Sequence, residues 1–207
     1  MKICILSIGR SGSTSLYGAI KSHLTKDYYC ISEPFNHSYN RVNKIDENQF
    51  DIISSKENVL IKTIINHIPD DKDEDFINEW IFKFFDKVIL LDRLDKKLQT
   101  ESFSYLVHTK SKEWHKKQFY EMSSIPKEVI GEWERRIENL KKNINDLSIK
   151  NKKKIYYYED IFVNKNMDII NEIFNYLELG INEKIINHYI ISEEHKVRLN
   201  EKSNKLI

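Results

Sequence analysis

Glycine and proline are scarce in this chain, 5 and 3 among 207 residues, and cysteine occurs only twice. The scarcity is a bias of composition rather than a functional signal. Cys4 and Cys30 make no metal-ligand spacing and no disulfide framework. Each lies in an apolar, strand-like segment and reads as a buried, reduced thiol. An excess of charge of one sign is also missing, since 33 basic residues stand against 32 acidic ones. That balance removes the global field that draws a protein to nucleic acid or to an anionic membrane, while leaving room for a local basic pocket. No apolar run approaches the length that spans a bilayer. The opening stretch Met1–Ile8 is apolar but stops at Gly9-Arg10, too short for a secretory core and without a small-residue cleavage site. No internal repeat or low-complexity block is present. The expectation is one domain over residues 1–207 with a real core, located in the cytoplasm.

Short β-branched runs alternate with amphipathic helical patterns, which predicts an α/β fold: a P-loop-like, three-layer arrangement with a central, mainly parallel sheet flanked by helices. The strand candidates are Lys2–Ile8, Tyr28–Ile31, Val59–Ile64, Lys87–Leu91 and Lys154–Tyr158. Helices are predicted over Ser15–Leu24, Asp73–Phe85, Lys96–Thr109, Lys127–Leu147 and Met167–Leu177, and Asn36–Ser55 reads as a loop with room for one short helix. The longest helix has Ser123 or Ser124 as a cap and Pro126 for its first turn. Its stripe Ile130, Trp133, Ile137, Leu140, Ile144 and Leu147 is either a face packed on the domain or the seam of a homodimer.

The strongest local feature is Ile5-Leu-Ser-Ile-Gly-Arg-Ser-Gly-Ser-Thr-Ser-Leu16. An apolar strand runs into a Gly/Ser-rich turn and then into a helix. Gly9 and Gly12 let the backbone approach a ligand, and the amides at the helix start, helped by the dipole, favour an anion. Arg10 adds fixed positive charge, and Ser11, Ser13 and Thr14 add hydroxyl donors. The Walker pattern is absent, because Gly12 is followed by Ser13-Thr14 rather than by Lys and then Ser or Thr. With no evident acidic strand end to hold magnesium, the loop is unlike that of an ATP- or GTP-hydrolysing protein. A plain strand-to-helix turn would be equally small and polar.

Gly9-Arg-Ser-Gly-Ser-Thr-Ser-Leu16 resembles the 5′-phosphosulfate loop of sulfotransferases that use 3′-phosphoadenosine 5′-phosphosulfate (PAPS), with Arg10 at the position of the family's basic residue. The resemblance implies that Gly9, Arg10, Ser11, Gly12, Ser13, Thr14 and Ser15 hold the 5′-phosphate end. A second match is Val88-Ile-Leu-Leu-Asp-Arg-Leu-Asp-Lys-Lys-Leu-Gln-Thr-Glu-Ser102, similar to the 3′-phosphate segment, in which Arg93 and Ser102 take the gripping positions. Arg offers a planar fork of donors and Ser a short neutral one, a good match for a phosphate dianion. The spelling Arg-x-Asp-Lys-x-x-Gln-x-x-Ser, followed by Thr109 and Trp114, is similar to the bacterial trehalose-type branch. Otherwise Arg93 simply pairs with Asp92 or Asp95. A third match, Lys154-Ile-Tyr-Tyr-Tyr-Glu-Asp-Ile161 with the helix after it, places Glu159 and Asp160 as caps or braces of nearby loops.

For the acceptor side, Ile31-Ser-Glu-Pro-Phe-Asn-His37 puts Glu33 just past a strand end, on the crevice side of an open sheet. Carbohydrate and trehalose-type members have a Glu in a similar setting, which implies that Glu33 is the general base, with His37 and His67 as substitutes. Leu60-Ile-Lys-Thr-Ile64 resembles the Lys-Thr-His stretch of cytosolic members, except that Ile64 stands where their basic His does. Lys62 either stabilises the equatorial sulfonate oxygens or snorkels to solvent. The expected activity is in-line sulfuryl transfer from PAPS to a hydroxyl acceptor, a carbohydrate or another small molecule, leaving adenosine 3′,5′-bisphosphate (PAP), with no metal. A nucleotide kinase and a catalytically silent PAP-binding protein are the alternatives. In the tail, Lys196 and Arg198 either close over the nucleotide or stay in solvent.

Overall fold

Strict alternation along β-branched runs decides which residues face which side of a sheet, and that alternation organises the whole chain. The computed structural model describes residues 1–34, 47–65, 74–109 and 125–191. Within them, β1 (Lys2–Ser7), β2 (Tyr29–Ser32), β3 (Val59–Ile64), β4 (Lys87–Asp92) and β5 (Ile155–Tyr157) form one sheet in the order β2-β3-β1-β4-β5. Every neighbouring pair runs parallel. The helices are α1 (Ser13–His23), α2 (Glu47–Ser54), α3 (Glu74–Phe84), α4 (Lys96–Thr109), α5 (Lys127–Asn151), α6 (Met167–Tyr176) and α7 (Glu183–Ile186). Two π-helical turns, Glu159–Val163 and Asn187–Ile191, follow β5 and α7.

Ile3, Ile5, Leu60, Ile89 and Leu91 face a core built with α1, α6 and α7, whereas Cys4, Leu6, Val59, Ile61, Val88 and Leu90 face one built with α2, α3 and α5. The split follows from handedness. A crossover between parallel strands is right-handed, so the step from β1 out to β2 and the return steps to β3 and β4 must lie on opposite faces. The result is a three-layer α/β fold. No helix among the described residues is long and apolar enough to cross a membrane.

The five strand candidates are all found, displaced at most by a residue or two at their ends. α1 begins earlier than expected, at Ser13, because Gly12 in the left-handed region already closes the turn. α5 runs past Leu147 to Asn151, where Lys152 at φ 51° caps it and donates its N–H to Ile149 and Ser148 carbonyls. Pro126 occupies the N-cap rather than the first turn; Ser123 and Ser124 lie outside the described residues. The α5 stripe packs inward: Ile144 and Leu147 join the core, and Trp133 stacks on Phe103 of α4 at 4.9 Å. Cys4 is buried, and burial pushes its thiol up, but Cys30 on the edge strand β2 is only half-buried.

Candidate functional site

β1 lies between β3 and β4, while its own crossover leads away to β2. The carboxyl ends of β1 and β3 therefore flank the point where the chain's direction reverses, the place where open α/β sheets hold ligands. The loop Ile8–Gly12 starts there. Ile8 still donates to the Leu91 carbonyl at 3.2 Å, extending the ladder to the loop's edge. Arg10 (φ 68°) and Gly12 (φ 79°) are both left-handed, which for Arg10 costs about 1–2 kcal/mol. Such a curl turns successive backbone N–H groups toward one concavity.

Aromatic rings close on this backbone. A Cβ on Gly9 would lie 2.4 Å from Phe103, and one on Gly12 would lie 2.5 Å from Phe162 and 2.8 Å from Tyr158. The Ser11 hydroxyl does not serve as a ligand donor as expected: it is buried and donates to the Ile8 carbonyl at 2.6 Å, closing the turn internally. Ser13 is buried, Ser15 half-buried and Thr14 exposed. α6 and α7 each have an Asn side chain accepting from their first amides and an acid in the first turn; α1 has neither. Its positive end is thus uncompensated, while Lys21 and His23 complement the other end.

Lys62 does not snorkel. It is 2 % exposed, and its ammonium donates to Thr14 Oγ1 at 3.0 Å and to Glu33 Oε1 at 2.5 Å. By alternation with Leu60 it faces the α1 side of β3, so its stem leads to the start of that helix. Glu33 follows β2 at φ 55°, its own N–H bonded to the Lys62 carbonyl at 2.6 Å. Three sequence-distant candidates, Thr14, Glu33 and Lys62, thereby meet around one ammonium. His37, His67, Trp114, Lys196 and Arg198 lie outside the described residues.

The other wall comes from β4 and α4. Arg10 Nε donates to Ser102 Oγ at 2.6 Å, so the opening loop and the second candidate segment are in direct contact. Arg93 pairs with neither Asp92 nor Asp95. Its Nε lies 3.6 Å from Glu159 Oε1, too long for a hydrogen bond, and its guanidinium sits 4.7 Å from the centre of the Tyr158 ring. Tyr158 is also the ring against Gly12, so one aromatic side chain separates Arg93 from the loop. Glu159 braces the β4–α4 turn, accepting from the Leu94 and Asp95 amides at 2.8 and 3.2 Å.

No family model matches the chain, and no curated protein or solved structure does either. The site therefore has to be read from its own chemistry. Two groups escaped the sequence reading. Asp92 is an acidic strand end beside β1, buried, yet Lys141 of α5 bonds its Oδ2 at 2.8 Å and also the Arg93 carbonyl. Burial, with Asp92 and Asp160 nearby, holds the Tyr157 phenol above its usual range. Gln99 of α4, fully buried, donates Nε2 to the Gly9 carbonyl at 2.9 Å. Nothing in the sequence ties Lys141 to Asp92, 49 positions away, whereas Gln99 stands inside the Arg93–Ser102 spelling. An aromatic depression of about 330 Å³ on α3, lined by Glu79, Trp80, Lys83 and Phe84, contains none of these residues.

Proposed function

We propose that this chain transfers a sulfuryl group from PAPS to an acceptor hydroxyl. The observation that carries the reading is the 2.6 Å contact between Arg10 and Ser102: the segment read as the 5′-phosphosulfate loop and the segment read as the 3′-phosphate grip adjoin, as one doubly phosphorylated nucleoside requires. The uncapped start of α1, Arg10 and the Lys62 ammonium supply positive charge for the 5′ end. Arg93 and Ser102 supply donors for the 3′-phosphate.

Transfer forms a bond from the acceptor oxygen to sulfur as the bond from sulfur to the phosphate oxygen breaks, its electron pair leaving with PAP. Glu33 takes the acceptor proton. Lys62, already hydrogen-bonded to Glu33 and Thr14, would serve as the donor to the sulfonate oxygens, and a fixed donor that meets developing charge stabilises the transition state more than the ground state.

Calorimetry tests the nucleotide half: PAP should bind and ATP with magnesium should not, and the reverse result would make the chain a kinase. Turnover of PAPS over a panel of sugar hydroxyls tests the chemical half. A Glu33→Ala variant that retains full rate on a working acceptor would remove Glu33 as the base. PAP binding with no turnover on any acceptor would leave a silent binding protein.

A further inference from the structure

α4 grips two consecutive loop residues. Ser102 holds the Arg10 side chain, Phe103 packs on Gly9, and Gln99 donates to the Gly9 carbonyl. Gln99 and its neighbours Thr100 and Ser104 are buried, and Gln99 Oε1 has no hydrogen-bond partner among the described residues. A buried amide whose oxygen has no partner is a cost to stability rather than a gain. Among the described residues, the one hydrogen bond that this side-chain amide makes is to the loop.

A carbonyl oxygen is the negative end of its peptide, and one turned into an anion site repels the ligand. The Gln99 bond fixes the Gly9 carbonyl toward α4, immediately before the left-handed Arg10. We propose that Gln99 is a positioning residue for the candidate sulfuryl donor: it holds the loop peptide after Gly9 in the orientation that leaves amides, and not a carbonyl, facing the anion. This inference rests on reading the loop as an anion site and adds a residue outside the set that would touch PAPS.

The test uses the full-length chain, ¹⁵N-labelled, as wild type and as Gln99→Leu, with Gln99→Met as a second variant of matched volume. The amide resonances of Gly12 to Ser15 are followed as inorganic pyrophosphate, and separately PAP, is added, and thermal unfolding is measured alongside. Gln99→Leu should weaken binding of both ligands by about tenfold or more, while the melting temperature stays within about 3 °C of wild type. A structural role alone would lower the melting temperature and leave the affinities of the folded protein unchanged, which overturns the proposal. Pyrophosphate binding that depends on Gln99, without PAP binding, keeps this inference and removes the nucleotide reading. PAP binding that neither substitution alters does the reverse. Loop amides in wild type that respond to neither ligand overturn both.

Discussion

The Lys62 ammonium is the group whose removal should be felt most widely, and its effect can be worked out beforehand. Lys62 is 2 % exposed and Glu33 16 %, so neither charge is well hydrated by itself. Deleting one partner of a fully buried pair costs about 3–5 kcal/mol, mostly because the remaining charge stays buried. Glu33 retains some contact with water, so Lys62→Met should cost less, about 2–3 kcal/mol. For a chain of this length that is a fall in melting temperature of roughly 4–12 °C. Glu33→Gln should cost at least as much, since it strands the less exposed partner.

The double variant is the decisive measurement. With both charges gone, a methionine stem against a neutral amide leaves neither member of the pair stranded, and stability should return to within about 1 kcal/mol of wild type. Urea denaturation of all four proteins at one pH gives the cycle, with a coupling energy expected above about 2 kcal/mol. If the single effects instead add to within about 0.5 kcal/mol, Lys62 and Glu33 do not act as a pair, and the argument that one ammonium ties the acceptor side to the loop is refuted.

Three other outcomes follow from particular contacts. Removing the 3′-phosphate grip with Arg93→Ala should weaken PAP binding by about ten- to a hundredfold while leaving adenosine 5′-monophosphate binding unaltered, because a charge-assisted bond is worth about 1.5–3 kcal/mol; equal losses for both ligands in calorimetry would deny Arg93 that role. Ala at Gly18 and Gly131 should have opposite signs. Gly131 has open space around it, so Ala there should raise stability by about 0.5–1 kcal/mol, whereas a Cβ at Gly18 would lie 2.5 Å from the Tyr189 ring and should lower the melting temperature, with Tyr189→Leu restoring it. At high pH, Tyr17 matters: burial, and then the neighbouring Cys30 thiol, push its phenol up from 10.0 to about 12. The folded state thus favours the neutral ring. This contribution is complete below pH 10 and lost as pH rises toward 12, so Tyr17→Phe should flatten the alkaline limb of a stability–pH curve, and an unchanged limb would show that Tyr17 does not set it.

The strands and long helices could be read from the sequence because their signal is local. The continuous apolar run in Lys2–Ser7 declares a strand buried on both faces, and the Ile137–Ile144–Leu147 steps of α5 declare one buried face, whatever lies opposite. The short α7 and the π-helical turns gave no such signal: Glu183–Ile186 is a single turn, and the Asn187–Ile191 turn is placed by Tyr189 packing on Gly18, a contact made across the fold. Within the site, the glycines, Arg10, Lys62 and Glu33 could be picked out individually, each within or just past a strand. The meeting of Lys62 with Thr14 and Glu33 depends on β3 lying between β1 and β2, and strand order has no local spelling. Ser11 was misread because hydroxyl chemistry alone cannot distinguish a side chain that closes its own turn from one that faces outward.

Backbone strain supplies a separate line of argument for where the function lies. Among the described residues, five non-glycine residues have positive φ: Arg10, Glu33, Lys152, Lys165 and Glu178. Lys152 and Glu178 end α5 and α6, and Lys165 stands just before the Asn166 cap; at such junctions the left-handed region is an ordinary way to stop or start a helix. Arg10 and Glu33 have no such excuse. Each follows a strand, β1 or β2, where an extended residue would serve the fold as well, and each puts a charged side chain into contact with a residue on another element, Ser102 or Lys62. A conformation that costs about 1–2 kcal/mol per residue persists only where the surroundings hold it. Here the surroundings that hold both residues are the walls of the same crevice, which makes the pair a more specific sign of a site than either the loop or the carboxylate is alone.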